Sequence, residues 1–116
     1  MTPEGYVKDA VLALLAVERI YALRVNSGNL LLTAPNGKKR MVKLADRGTA
    51  DILALIPIGD GSFIPLWIET KAPKKGLRPE QADFREDVVS RGHAYIIARS
   101  SDDVLDWLRA FRASVK

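Results

Sequence analysis

Two acids and one lysine are the residues whose types and spacing suggest chemistry. Residues 49 to 57 read "TADILALIP" and residues 66 to 76 read "LWIETKAPKKG". Each apolar run holds one acid, Asp51 in the first and Glu69 in the second, and Lys71 follows Glu69 by two positions. The chain's other acids fall in stretches that read as helices or turns, where solvated charge needs no explanation. In a strand, residues two apart share a face, so Glu69 and Lys71 point one way while Ile68 and Thr70 point the other. If the two runs pair about "IGDGS", Asp51 falls opposite the end of the second run, and three charges meet at one end of a sheet. A desolvated carboxylate protonates, pairs or binds a metal. A structural ion pair with Lys71 is the ordinary reading of such a triplet. One lysine does not neutralise two buried carboxylates, however, and a pair of them with charge to spare suits a hard divalent cation, Mg²⁺ or Mn²⁺. A metal on two acids, with a lysine to orient the nucleophile or hold the scissile phosphate, is a site for phosphodiester hydrolysis.

These residues need a frame, and the pattern along the chain predicts one. Thr2 and Pro3 start a helix over residues 3 to 20, with Val7, Val11, Leu14 and Leu15 at helical spacing and Glu4 in its first turn. Residues 21 to 26, "YALRVN", read as a short strand, and "SGN" as the turn after it. "LLLTA" and "KRMVKL" flank "PNGK", where Asn36-Gly37 is a two-residue hairpin signal. The runs at 49 to 57 and 63 to 71 show no polar alternation, which predicts central strands buried on both faces. Pro79 opens a helix over 79 to 90 that Gly92 ends; "HAYIIARS" is a strand, with His93 at the surface at its start; Ser101 caps a last helix. Trp67 reads as core, whereas Trp107 suits either core or a dimer surface.

At 116 residues the chain is expected to form one domain, residues 1 to 116. It carries 18 Lys and Arg against 14 Asp and Glu, a net charge of +4, and a pI near 9.6, which favours polyanionic partners. Nine of the basic residues lie in two windows, 37 to 47 and 71 to 78. Lys38, Lys39 and Arg40 in the first, and Lys74, Lys75 and Arg78 in the second, are candidates to grip a nucleic-acid backbone. With no cysteine, disulfides and thiolate metal sites are excluded. The longest apolar run, residues 10 to 17, is too short for a bilayer and has no basic leader, so no membrane partner and a cytoplasmic setting are expected.

The order of these segments resembles the PD-(D/E)XK nuclease superfamily, and within it the VRR-NUC family. The resemblance rests on "LRVNSG", on "GTADILA", and on "LWIETKAPKKGLRPEQADFREDVVSRGHAYIIARSSDDVLDWL". It implies an α/β fold with a restriction-endonuclease-like core, a central mixed sheet flanked by helices, and here an added β-hairpin. It further implies that Asp51 and Glu69 bind the metal with the backbone carbonyl of Thr70, that Lys71 is catalytic, that Gln81 borders the site, and that Glu4 completes the metal site. Arg24 and Asn26 would then lie near DNA. Ala50 stands where the family pattern has proline, a position that shapes backbone and supplies no ligand. Stand-alone members of this length resemble phage homodimers that resolve four-way (Holliday) junctions, and a two-fold dimer supplies the two nicks that a junction needs. A flap, nicking or restriction-like nuclease, and a catalytically silent nucleic-acid-binding module, are the alternatives.

Overall fold

The computed structural model describes residues 2 to 27 and 29 to 115. Gly28, within the turn expected at residues 27 to 29, lies outside the described residues. The elements are α1 (Pro3–Val17), β1 (Tyr21–Arg24), β2 (Asn29–Thr33), β3 (Lys39–Lys43), β4 (Ile52–Pro57), β5 (Phe63–Thr70), α2 (Pro79–Ser90), β6 (Ala94–Ala98) and α3 (Ser101–Ser114). A mixed four-stranded sheet has the order β1-β4-β5-β6; β2 and β3 form a separate hairpin. The expected α/β class and element order are present, with β4 and β5 central. β1, β4 and β5 run antiparallel, and β6 lies parallel to β5 after the crossover through α2.

The sheet has unequal faces. Ile52, Ala54, Leu66 and Ile68 are fully buried in one cluster with Val11 and Leu15 of α1 and Val104 and Leu108 of α3. Leu53 and Leu55, pointing the other way, are half-buried, because that side carries the shorter α2. Trp67 belongs to this second face rather than to the main core: its ring meets Phe84 of α2 edge-on at 5.0 Å, and its Nε1 donates to Nδ1 of His93 at 3.0 Å. His93 is therefore half-buried and engaged, not a free surface residue. Trp107 stacks on Phe111, centroids 4.9 Å apart, and both pack against the core.

Four local expectations are corrected. First, α1 ends at Val17 instead of residue 20, because Arg19 takes φ 58°. Its N–H then reaches Ala16 O, and that of Ile20 reaches Leu15 O, closing the helix as a Schellman motif. A glycine normally marks such a stop, so arginine gave no signal.

Second, the hairpin turn is centred on Pro35-Asn36, not on Asn36-Gly37. Gly37 N donates to Ala34 O and Ala34 N to Lys38 O, with Gly37 at φ 83°. Proline's fixed φ suits the first central position of a type I turn, and the glycine then takes the left-handed residue that follows.

Third, β4 begins at Ile52, because Asp46–Thr49 turns back on itself through Thr49 N and Oγ1 to Asp46 O, at 3.1 and 2.6 Å. Asp51 thus stands in the bend just before its strand. Fourth, Ser101 is the first helical residue of α3 and not its cap. Ser100 takes the cap position without a side-chain bond, while Asp103 Oδ2 receives Arg99 N at 2.8 Å.

Candidate active site

Extending the β4–β5 register one step past Ile52↔Ile68 sets Asp51 across from Glu69. Asp51 is held there by three contacts. Its Oδ2 accepts from Thr70 N at 2.9 Å and Thr70 Oγ1 at 2.7 Å, and its backbone oxygen accepts from Val25 N at 2.7 Å. Thr70 is fully buried. It was expected to matter through its carbonyl alone, yet its hydroxyl and amide are what fix the first acid.

Glu69 is only 3% exposed, and its Oε1 is buried without a hydrogen-bond partner. Burial, then the shared hydrogen bond and the charge of Asp51, push its carboxyl from 4.5 up to about 8, against the pull of Lys71. Burial also pushes Asp51 up, but hydrogen bonds from Glu69 and Thr70 outweigh it and leave that carboxyl below its usual range. Two like charges in a desolvated place move apart in this way, Glu69 toward its protonated form and Asp51 toward its ionised form.

Lys71 is buried, on the Glu69 face, and its amide extends the parallel pairing through Ala98 O at 3.0 Å. The ion pair that Asp51 makes is instead with Lys8 of α1, Nζ to Oδ1 3.7 Å. Lys8 was not singled out from sequence, though its spacing of four from Glu4 puts both on one helix face. Glu4 is near enough for its charge to raise Glu69. Among the described residues no group of three acid, histidine or cysteine side chains is arranged to hold a metal ion.

Gln81 is buried at the start of α2, its Oε1 accepting from Arg78 N at 2.9 Å. This is half of a capping box; an arginine side chain has no acceptor for the reciprocal bond. The first turn of α2 is locked to the segment before Asp51 by Gly48, at φ 91°. A Cβ at Gly48 would collide with the Glu80 carbonyl, 2.6 Å from its carbon and 3.1 Å from Gln81 N. The glycine of "GTAD" is thus a close-approach residue that sets Asp51 and Gln81 in one frame.

The remaining candidates lie on the segments around this sheet end and on the separate β2–β3 hairpin. Arg24 pairs with Ile52 at the end of β1, and Asn26 O accepts from Ala45 N; both side chains are exposed. Lys74 and Lys75 lie in an exposed turn beyond Lys71, Lys74 at φ 67°, and Lys75 O accepts from the Arg99 guanidinium at 2.7 Å. Arg78 is paired with Glu80 at 3.0 Å; with Arg47 it lines a cavity of about 500 Å³ between the base of the hairpin and α2. Lys38, Lys39 and Arg40 are exposed at and beside the hairpin tip.

Among the described residues a second buried polar atom lacks a partner, close to this site. The Tyr95 hydroxyl is buried without a partner. Tyr95 pairs with Trp67, two residues before Glu69, and burial, then the Glu69 charge, push its phenol well up. Nothing in the sequence singled out this tyrosine. As a donor set, two carboxylates with a buried unpartnered oxygen suit a hard divalent cation. Compared with family models, curated proteins and solved structures, the chain matches none.

Proposed function

We propose that the chain is a Mg²⁺- or Mn²⁺-dependent DNA endonuclease with a restriction-endonuclease-like PD-(D/E)XK core, related to the VRR-NUC family, that cuts four-way junctions as a homodimer. One observation carries the reading: Glu69, 3% exposed with Oε1 unpartnered, stands across from Asp51 in the register. A binding module facing a polyanion gains nothing from burying two acids toward it. A hydrolase that uses a cation does.

When bound, the cation would supply a water activated as nucleophile at neutral pH and offset the charge that grows on the phosphate. Asp51 and Glu69 would hold it, with the Thr70 carbonyl alongside. Thr70 keeps Asp51 Oδ2 fixed through its amide and hydroxyl, so a cation would compete with Lys8 for Oδ1. Lys71, on the Glu69 face, is the group to orient the attacking water or hold the scissile phosphate. Gln81 borders it from α2. Arg24, Asn26, Lys74, Lys75 and Arg78 surround this sheet end and would position the backbone, a role that sets register without reading sequence.

The test replaces Asp51, Glu69 and Lys71 singly by alanine and assays a four-way junction with Mg²⁺. Each variant is expected to lose about a hundredfold or more in cleavage rate while staying folded. Wild-type cutting by all three would end the assignment. Flap and linear duplex run at the same salt show whether the junction is preferred, and calorimetric Mg²⁺ titration without DNA identifies a silent binder by its lack of a site.

A further inference from the structure

Between the base of the hairpin and the start of α2 lies a cavity of about 500 Å³, lined by Ser27, Asn29, Arg47, Gly48, Arg78 and Glu80. That volume falls within the ~300–1,000 Å³ that holds one small organic molecule. Every side chain in the lining is polar or charged. Two guanidiniums against one carboxylate leave it a net positive charge, and Arg47 carries it. Arg78 pairs with Glu80 through Nε and Oε1 at 3.0 Å, whereas Arg47 makes no ion pair among the described residues.

This lining is wrong for most ligands. An apolar molecule finds no apolar wall, and a divalent cation finds one carboxylate against two guanidiniums. A bare phosphate suits Arg47 but is repelled by the Glu80 carboxylate. The lining offers a guanidinium for an anion and also an acceptor in Glu80, donors in Arg78, and both in the Asn29 amide. A nucleotide carries the matching parts, a phosphate and a base whose edge holds donors and acceptors. The exocyclic amines of adenine, cytosine and guanine donate to a carboxylate; thymine has no such amine. The cavity is also tied to the candidate active site. Gly48 touches the Glu80 carbonyl, Gln81 follows Glu80, and Arg47 precedes Asp51 by four residues, a span of at most about 14 Å or about four stacked nucleotides.

We propose that this cavity receives one unpaired nucleotide of the DNA strand being cut, its phosphate on Arg47 and its base edge on Arg78, Glu80 and Asn29, within about four positions of the scissile bond. A nucleotide held there is out of the stack and its pairing edge is taken by protein. The cavity therefore selects DNA with an unpaired or easily extruded nucleotide near the cut, as where pairing is interrupted at a branch, over continuous duplex. The inference rests on the DNA-cleaving function proposed above, but its test needs neither cleavage nor metal, so its failure is separate from a failure to cut.

Amide NMR spectra of the full chain, recorded without metal, test it with dGMP, dCMP, dAMP, dTMP and inorganic phosphate as probes. The three amine-bearing nucleotides are expected to shift the Arg47, Gly48 and Glu80 amides saturably at millimolar concentration, with dTMP at least about tenfold weaker. Arg47→Ala should weaken all of them at least about tenfold. Glu80→Gln, whose amide donates as well as accepts, should remove the discrimination against dTMP. An oligodeoxycytidylate of about ten residues should bind at least about tenfold more tightly than dCMP, because its further phosphates reach other basic residues. No saturable shift at these amides, phosphate as tight as dCMP, Arg47→Ala without effect, a Glu80→Gln variant that still rejects dTMP, or an oligomer no tighter than the mononucleotide would each overturn the proposal. Should Glu80→Gln disturb the start of α2, the wild-type ranking of dCMP over dTMP decides alone.

Discussion

The middle of β4 and β5 and the end of the same two strands follow opposite rules. At Ile52, Ala54, Leu66 and Ile68 the side chains facing α1 and α3 are apolar, fully buried and in mutual contact. One residue past Ile52 and Ile68, Asp51 and Glu69 set two carboxylates together, the first shifted down and the second up, and two buried polar atoms lack partners. The strand interior stabilises the fold. The strand end draws on that stability to hold a desolvated charge cluster that would not assemble alone, which is how a binding or catalytic site differs from a core.

Three substitutions sharpen the contrast. The largest effect is expected at the joint between the two regions. Gly48→Ala forces a Cβ into the Glu80 carbonyl at a positive φ, so it should cost about 3 kcal/mol in denaturant unfolding and detach the first turn of α2 from the Asp51 segment. Retention of wild-type stability would mean that the α2 start is not packed on that glycine.

The second effect is expected at the charge itself and depends on pH. Glu69 titrates near 8 when folded against 4.5 ordinarily, so the folded chain binds this proton more tightly than the unfolded one. Its contribution is present in full below pH 4.5 and is lost as pH rises through 8. Asp51, shifted downward, acts in the opposite sense and at lower pH. Glu69→Gln cannot ionise. Without metal it should match wild type near pH 4.5 and exceed it by about 2 kcal/mol above pH 8, and added Mg²⁺ should raise the melting temperature of wild type only. A variant no more stable than wild type at high pH would show that Glu69 is not the strained group.

Much of this was legible before the structure, because hydrophobic runs and punctuation carry it. Two apolar runs around "IGDGS" gave the central pair, their single acids gave Asp51 and Glu69, and Pro79 with Gly92 bounded α2. What was missed depends on contacts between segments distant in sequence. Nothing local says that Thr70 donates to Asp51, that Lys8 reaches it from α1, that Tyr95 lies beside the Glu69 face, or that Gly48 touches Glu80. Arg19 misled because a residue with a Cβ took the left-handed position that glycine normally marks. Asn36-Gly37 misled because the preceding Pro35 moved the turn back by one residue.

The smallest expected effect asks whether the two unpartnered atoms at the strand end are independent. The Tyr95 hydroxyl is buried and unbonded, so removing it as Tyr95→Phe relieves a desolvated polar group and should stabilise the chain by about 1 kcal/mol, a rise of about 4 °C in melting temperature for a domain of this size. The ring's packing against Phe84, at 6.4 Å between centroids, stays in place. If instead Tyr95→Phe destabilises, the hydroxyl donates to Glu69 in solution and helps hold the carboxylate. The double variant with Glu69→Gln distinguishes these cases. Independent atoms give additive changes at every pH; a hydroxyl that serves the ionised carboxylate gives a coupling energy that grows above pH 8, where Glu69 carries its charge.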